Sequence, residues 1–176
     1  VIIDEAYVDF GGYSSVELTK KYENLLVTGT FSKSRSLAGM RIGFAIGSEK
    51  LISELEAVKN SYNSYTVNSI AMAAGTAAIK DVDYFNKTVS MVIKTRERVK
   101  DELRSLGFEV LESQTNFLMA AHPEKDMKDY FEYLKTQKVF IRYFNKPVIN
   151  KYVRITIGTD EEMDIFLEKT KQYLAK

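Results

Sequence analysis

One short segment carries most of the side chains in this sequence that could do chemistry. Residues 29–44 follow the apolar residues 25–27 and contain several hydroxyl residues, a lysine (Lys33) and, eight positions later, an arginine (Arg41). Hydroxyl groups and a guanidinium are suitable ligands for a phosphate group. A lysine amine held beside a phosphate site can form a Schiff base with an aldehyde. The segment therefore predicts a site for a phosphorylated aldehyde cofactor.

A second candidate group stands at the start of the sequence. Residues 1–3 are a β-branched run, which is typical of a parallel strand covered on both faces, and Asp4 and Tyr7 follow it. Ligands of open α/β sheets bind at the carboxyl ends of the strands, so Asp4 and Tyr7 are expected at a binding edge. Taken alone, Asp4 would be a turn or capping acid and Tyr7 a packing residue.

Three segments resemble signatures of the fold-type I aminotransferases, which use pyridoxal phosphate (PLP), and most closely those of the histidinol-phosphate aminotransferase family. They are residues 4–7, residues 32–33 with 38–43, and residues 152–159. The resemblance implies an α/β fold, the C-terminal part of a PLP-dependent transferase of fold type I. It places the end of the large mixed-sheet domain in residues 1–65 and a small α+β domain in residues 66–176.

The resemblance also assigns roles to single residues around the cofactor. Lys33 would form the Schiff base with PLP and, once displaced by the substrate amine, would move a proton between the substrate carbon and the cofactor. Asp4 would pair with the pyridinium nitrogen and keep the ring an electron sink. Tyr7 would donate a hydrogen bond to the phenolic oxygen. The phosphate would be held by Thr30, Ser32 and Arg41.

Two arginines near the end of the sequence are candidate substrate ligands. Arg154 lies in the apolar stretch 153–157, where a cation needs an anionic partner. By the resemblance it binds the carboxylate of glutamate or 2-oxoglutarate and can also contact a substrate phosphate; a structural ion pair is the alternative. Arg142 is the candidate ligand for the phosphate of the substrate. Asn116 could line the site or serve only at a strand end.

The spacing of apolar residues predicts the elements that would position these groups. Strands are predicted at residues 1–3, 25–28, 42–46, 108–111, 116–120, 139–143 and 153–157. Helices are predicted at residues 49–60, with a buried stripe that includes Leu55 and Val58, and at 67–80, 82–106, 126–138 and 160–174. Expected helix caps are Ser15, Ser48 and Thr159, the last with Glu162 in a capping box.

Composition excludes several classes of protein. The 176 residues include no cysteine and one histidine, His122, so disulfides, thiolate metal sites and a histidine-based zinc site are not expected. The net charge of +1 gives no reason to expect nucleic acid or an anionic membrane surface as a partner. No apolar run approaches membrane-spanning length. We therefore expect a cytoplasmic protein that binds no metal.

The predicted function is transamination of histidinol phosphate with 2-oxoglutarate, a step of histidine biosynthesis. Small molecules are the expected partners, and a homodimer is implied for the complete enzyme. Because members of the family are much longer, we interpret the sequence as a C-terminal half with little activity of its own; further cofactor-contacting residues are expected ahead of Val1. An aromatic amino acid aminotransferase, a threonine-phosphate decarboxylase and a non-catalytic folded fragment remain alternatives.

Overall fold

The computed structural model describes all 176 residues, Val1–Lys176. The chain divides into two compact units, Val1–Val89 and Ser90–Lys176, which are described separately below. The domain boundary expected after residue 65 stays a prediction. None of the helices combines the length and the apolar character that crossing a membrane requires.

The first unit is built on a three-stranded mixed sheet. Strand β1 (Ile2–Asp4) pairs in parallel with β2 (Leu26–Thr30), and β2 pairs in antiparallel fashion with β3 (Gly43–Gly47). These three strands confirm the predicted ones to within two residues at each end. The side chains of Val1 and Ile2 are 76% and 70% exposed, so the residues of this chain do not cover β1 on both faces as its β-branched run predicts.

Two α-helices follow the sheet in this unit, α1 (Glu49–Tyr62) and α2 (Ser69–Lys80). Helix α1 begins at the predicted cap Ser48, whose hydroxyl accepts a hydrogen bond from the backbone N–H of Leu51. The predicted buried stripe of α1 is wrong at Leu55 and Val58, which are exposed. The apolar spacing identifies one side of α1, but no other residue of this chain covers that side at Leu55 and Val58.

Three short 3-10 helices also lie in the first unit, at Val8–Phe10, Val16–Lys20 and Ala38–Met40. Ser15 occupies the predicted position before the Val16–Lys20 helix, but its hydroxyl makes no capping hydrogen bond. Instead the backbone N–H of Ser15 donates to the carboxylate of Glu5. An acid close to the end of β1 thus fixes the start of the Val16–Lys20 helix.

The second unit has one antiparallel sheet in the order β4-β5-β7-β6. Its strands are β4 (Glu109–Val110), β5 (Phe117–Ala121), β6 (Arg142–Tyr143) and β7 (Val153–Thr156). Alternate residues of the two central strands, Leu118 with Ala120 and Val153 with Ile155, form a core with the apolar sides of the helices. The helices are α3 (Val82–Ser105, its C-terminal part), α4 (Met127–Thr136) and α5 (Asp160–Leu174). The predicted α+β arrangement is confirmed.

Local capping signals of the second unit behave as predicted, but one strand is shorter. Thr159 and Glu162 form the expected capping box at the start of α5. The strand predicted at 139–143 is reduced to Arg142–Tyr143. Lys138 takes a left-handed conformation with φ of 61°, and the backbone N–H of Val139 donates to the end of α4 at 2.9 Å. The chain therefore completes the helix end before it can begin the strand.

Candidate functional site

The predicted cofactor residues of the first unit lie at one edge of its sheet. Strands β1 and β2 are parallel, so Asp4, which pairs with Thr28, and Thr30, the last residue of β2, stand at the same carboxyl edge. Strand β3 runs the opposite way and pairs its first residue, Gly43, with Thr30. Arg41, two residues before the start of this strand, is therefore placed at the same edge.

Lys33 and Tyr7 are brought together from segments 26 positions apart. The Nζ atom of Lys33 lies 5.3 Å from the centroid of the Tyr7 ring, within the range of a cation–π contact. Lys33 is exposed, and its amine makes no hydrogen bond or ion pair within the chain. The amine is therefore free to react, and the phenol beside it can orient a ligand.

A side-chain contact that the sequence analysis did not single out holds these two segments together. The hydroxyl of Ser34 donates to the carboxylate of Asp9, which lies in the 3-10 helix just after Tyr7. Ser34 is buried, and the backbone N–H of Leu37 donates to the carbonyl of Phe31 at 2.9 Å, which closes the loop that carries Lys33. The serine next to Lys33 was the only sequence signal for this contact.

The candidate phosphate ligands differ in what they already bind. The Thr30 hydroxyl accepts from the backbone N–H of Ser32 at 3.1 Å and donates to the carbonyl of Ile42 at 3.3 Å. The Ser32 hydroxyl has no partner within the chain. One Nη atom of Arg41 donates to the carbonyl of Ala38 at 2.9 Å, and no carboxylate pairs with this guanidinium. The free hydroxyl and the exposed cation can both turn to an anion.

The backbone of Arg41 is also unusual. Its φ of 55° places a non-glycine residue in the left-handed region, just after the Ala38–Met40 helix. That conformation costs about 1 kcal/mol, and residues held in it cluster at functional sites. Ser36, in the loop after Lys33, takes the same φ of 55°.

Asp4 is the acid of this edge. Its Oδ1 atom accepts a hydrogen bond from the backbone N–H of Ala6 at 3.0 Å, and no cation of the chain pairs with the carboxylate. It is exposed and can accept a further N–H.

Arg35, in the same loop as Lys33, has a structural role. Its guanidinium donates to the carbonyl of Ala78, and its guanidinium carbon lies 4.0 Å from the centroid of the Phe85 ring.

In the second unit, the two predicted substrate ligands are direct cross-strand neighbours. Arg142 of β6 and Arg154 of β7 are paired across the antiparallel ladder, so their side chains leave the same face of the sheet. Neither guanidinium pairs with a carboxylate of this chain. Like charges in this arrangement repel each other, so the pair is a candidate anion site.

Burial strengthens this interpretation of the arginine pair. The Nε atom of Arg154 is buried and has no hydrogen-bond partner. The guanidinium carbon of Arg154 lies 5.3 Å from the Phe117 ring centroid and 5.8 Å from that of Phe144, while that of Arg142 lies 5.5 Å from the Phe144 centroid. The backbone carbonyl of Asn116 accepts from the backbone N–H of Ile157 at 2.9 Å, and the role of its side chain stays a prediction.

Comparison with known proteins relates the whole chain to transaminases. The family model for aminotransferase class I and II matches residues 1–169. A histidinol-phosphate aminotransferase from Brachyspira hyodysenteriae is 55% identical over 177 residues, which are 100% of this chain and 50% of that protein. The chain thus spans about half the length of the curated relatives it matches.

Solved structures agree in fold. The histidinol-phosphate aminotransferase from Clostridium acetobutylicum superposes with a TM-score of 0.89 at 25% identity, covering 99% of this chain and 54% of that one. The L-threonine-O-3-phosphate decarboxylase from Porphyromonas gingivalis superposes with a TM-score of 0.83 at 21% identity, covering 99% and 55%. The second match is a likeness of fold alone. Together these comparisons confirm the predicted resemblance and fold class.

Proposed function

Since the chain belongs to the family of class I and II aminotransferases, we propose that it is part of a PLP-dependent transaminase acting on histidinol phosphate. The amino group would pass to 2-oxoglutarate, giving imidazole acetol phosphate and glutamate. One observation carries the proposal: an unpartnered lysine amine, Lys33, lies against Tyr7 at the sheet edge where Asp4 and Arg41 also stand. Similarity to histidinol-phosphate aminotransferases supports the choice of substrate.

The residues at this edge fit PLP by their chemistry. The carboxylate of Asp4 has no protein cation to neutralise it and can accept the N–H of a protonated pyridine ring. Tyr7 can donate to the phenolic oxygen of the cofactor. The phosphate would be bound by the hydroxyl of Ser32 and the guanidinium of Arg41, and by the Thr30 hydroxyl once it turns its proton from the Ile42 carbonyl.

When bound, PLP supplies an electron sink that stabilises negative charge at the substrate carbon. Lys33 would hold the cofactor through its amine and, once free of it, would move a proton between the amino-bearing carbon of the substrate and the cofactor. Asp4 keeps the ring nitrogen protonated, because a nearby carboxylate favours the cationic form. Tyr7 orients the ring next to the amine of Lys33.

The arginine pair of the second unit would bind the charged ends of the substrates. We propose that Arg154 binds the carboxylate of glutamate or 2-oxoglutarate and contacts the phosphate of histidinol phosphate. Arg142 is proposed as the principal phosphate ligand. The absence of any acid beside these two guanidiniums supports an external anion, and a guanidinium can bind either group through two parallel hydrogen bonds.

The remaining proposals concern the complete protein. It would act in the cytoplasm, as a homodimer, on a small-molecule amino donor and a 2-oxo acid. Because the chain spans about half of its curated relatives, we expect the 176 residues alone to transaminate slowly or not at all.

Covalent trapping tests the cofactor site without requiring turnover. The chain is incubated with PLP below equimolar amounts, reduced with borohydride and digested, and peptide mass spectrometry locates the attached cofactor. We expect attachment to concentrate at Lys33 and to fall to background in Lys33→Ala, whereas Lys50→Ala, at an exposed lysine of α1, leaves it unchanged. Attachment spread evenly over surface lysines would overturn the site and favour the non-catalytic alternative.

The substrate is tested by comparing two reactions. In the complete protein, formation of glutamate from 2-oxoglutarate and histidinol phosphate is the expected activity. Release of carbon dioxide from threonine phosphate without glutamate formation would instead identify a decarboxylase, which the shared fold does not distinguish from a transaminase.

A further inference from the structure

The arginine pair of the second unit depends on a residue that cannot itself bind an anion. From its contacts with both guanidiniums we infer that Phe144 is a positioning residue that holds Arg142 and Arg154 in place for an anionic ligand. The inference rests on the proposed function of the two arginines, and it adds the means by which their side chains are oriented while both charges stay available.

The two guanidiniums have no carboxylate that could orient them. Arginines in proteins are commonly oriented by a carboxylate, but a carboxylate here would neutralise the guanidinium and compete with the ligand. No acid pairs with Arg142 or Arg154, and the buried Nε of Arg154 has no acceptor. Some other contact must restrain two side chains that also repel each other.

Aromatic rings supply that contact. The Phe144 centroid lies 5.5 Å from the guanidinium carbon of Arg142 and 5.8 Å from that of Arg154, while the Phe117 centroid lies 5.3 Å from that of Arg154. A ring face attracts a cation through its quadrupole and has no charge with which to neutralise it. Phe144 is the ring shared by both arginines, so it fixes the position of one relative to the other.

The position of Phe144 is itself anchored. Phe144 directly follows β6, two residues after Arg142, and its ring contacts the guanidinium of that arginine. Tyr143, between them, stacks on Phe131 of α4, with centroids 6.1 Å apart and planes at 28°. The carbonyl of Phe144 accepts from the backbone N–H of Lys146 at 2.8 Å. The ring is thus carried on a restrained piece of backbone.

The affinity of the arginine pair for an anion should therefore depend on Phe144, although this residue cannot bind the anion itself. Without the ring, both arginines regain rotamer freedom that must be lost again when an anion binds. Restoring that freedom to two long side chains corresponds to about a tenfold rise in the dissociation constant of the anion.

The 176-residue chain is titrated with inorganic phosphate, and NMR follows the Nε–Hε signals of Arg142 and Arg154. These signals report binding at the arginine pair and distinguish it from phosphate binding elsewhere on the protein. The midpoint of the titration is the phosphate concentration at which half of the signal change has occurred. In Phe144→Leu, which keeps apolar bulk, the midpoint should rise about tenfold. Phe144→Tyr, which keeps the ring face, should bind like the wild type. The matched control is Phe140→Leu, at an exposed phenylalanine of the same segment that has no arginine contact; its midpoint should not change.

The outcomes separate the two claims. A wild-type chain whose arginine signals do not respond to phosphate removes the proposed anion site, and the role of Phe144 falls with it. If the wild type binds and Phe144→Leu binds equally well, the inference is overturned while the anion site stands. A purely structural role would lower the unfolding temperature of Phe144→Leu and leave the midpoint of the folded protein unchanged; Phe144→Met gives a second reading if the leucine variant does not fold.

Discussion

The hydroxyl of Ser34 donates a hydrogen bond to the carboxylate of Asp9, and this bond joins the segment after β1 to the loop after β2. Tyr7 lies two residues before the acid, and Lys33 lies one residue before the serine. The contact between Lys33 and the Tyr7 ring therefore depends on a neighbouring pair that itself contacts no proposed ligand.

Removing this bond should loosen the position of Lys33. In Ser34→Ala the free energy of unfolding should fall by about 1 kcal/mol, because a buried serine loses a hydrogen bond to a charged acceptor. Borohydride trapping of PLP should become less selective for Lys33 over other lysines. Ser53→Ala, at an exposed serine of α1, is the control and should change neither measurement. Unchanged selectivity in Ser34→Ala would show that the bond does not position the amine.

A glycine of β2 makes room for an aromatic ring beside the same edge. Gly29 pairs with Phe44 of β3, and a Cβ atom at residue 29 would overlap the Phe44 ring. Phe44 packs edge-on against Phe31, with ring centroids 6.1 Å apart, so the ring cannot move without losing that contact.

We therefore expect Gly29→Ala to lower the free energy of unfolding by about 0.5–1.5 kcal/mol, because the half-exposed Phe44 ring must turn toward solvent and lose its contact with Phe31. Urea unfolding measures the change. Gly39→Ala is the matched control, since a Cβ atom at that position meets nothing within 4 Å. If both alanine variants unfold at the same urea concentration, the close approach of Phe44 is not a constraint on the fold.

The sequence predicted well those features that depend on local chemistry. The caps at Ser48 and Thr159, with Glu162, use side chains within three residues of the backbone groups they satisfy, so their spacing was sufficient. The predicted burial of α1 was wrong at Leu55 and Val58, because periodicity identifies the apolar side of a helix but not whether another element covers it.

The candidate site was predictable only in part, for a similar reason. Lys33, Asp4 and Arg41 were identified by residue type and position, whereas their roles come from the resemblance to aminotransferases and remain predictions. The pairing of Arg142 with Arg154 requires the register of two strands separated by a loop, which residue spacing does not contain. Contacts between distant segments, rather than residue types, are what the structure adds.

Ion pairs at the start of α5 predict a dependence of stability on pH. The pKa of Asp160 lies below its usual value, first because the Thr95 hydroxyl donates to it at 2.9 Å and next because the Arg98 guanidinium does so at 3.0 Å. A carboxyl whose pKa is lowered by folding stabilises the protein above its unfolded-state pKa, about 3.9. That contribution is lost as the pH falls through the lowered folded-state value.

The unfolding temperature of the wild type should therefore exceed that of Asp160→Asn at pH 7, and the two should converge as the pH falls below about 4. Asp101→Asn, at an exposed acid of α3, serves as the control. A plot of its unfolding temperature against pH should run parallel to that of the wild type. A difference between wild type and Asp160→Asn that persists unchanged at pH 2 would exclude the carboxylate as its source.

Anions should stabilise the second unit through its arginine pair. A ligand that binds only the folded protein raises the free energy of unfolding by an amount that grows with the ratio of its concentration to its dissociation constant. Phosphate should therefore raise the unfolding temperature of the wild type more than chloride does at equal ionic strength. Arg142→Ala should lose most of this difference between phosphate and chloride, because only the guanidinium of Arg154 then remains to bind the anion.

Arg142→Ala also has a second expected property, which distinguishes an anion site from a structural ion pair. Without phosphate its free energy of unfolding should stay within about 1 kcal/mol of the wild type, since the change removes a repulsion and breaks no ion pair but loses the contact with the Phe144 ring. Lys128→Ala, at an exposed lysine of α4, controls for the loss of one positive charge and should keep the phosphate effect. A marked destabilisation of Arg142→Ala in phosphate-free buffer would mean that this arginine serves the fold instead of a ligand.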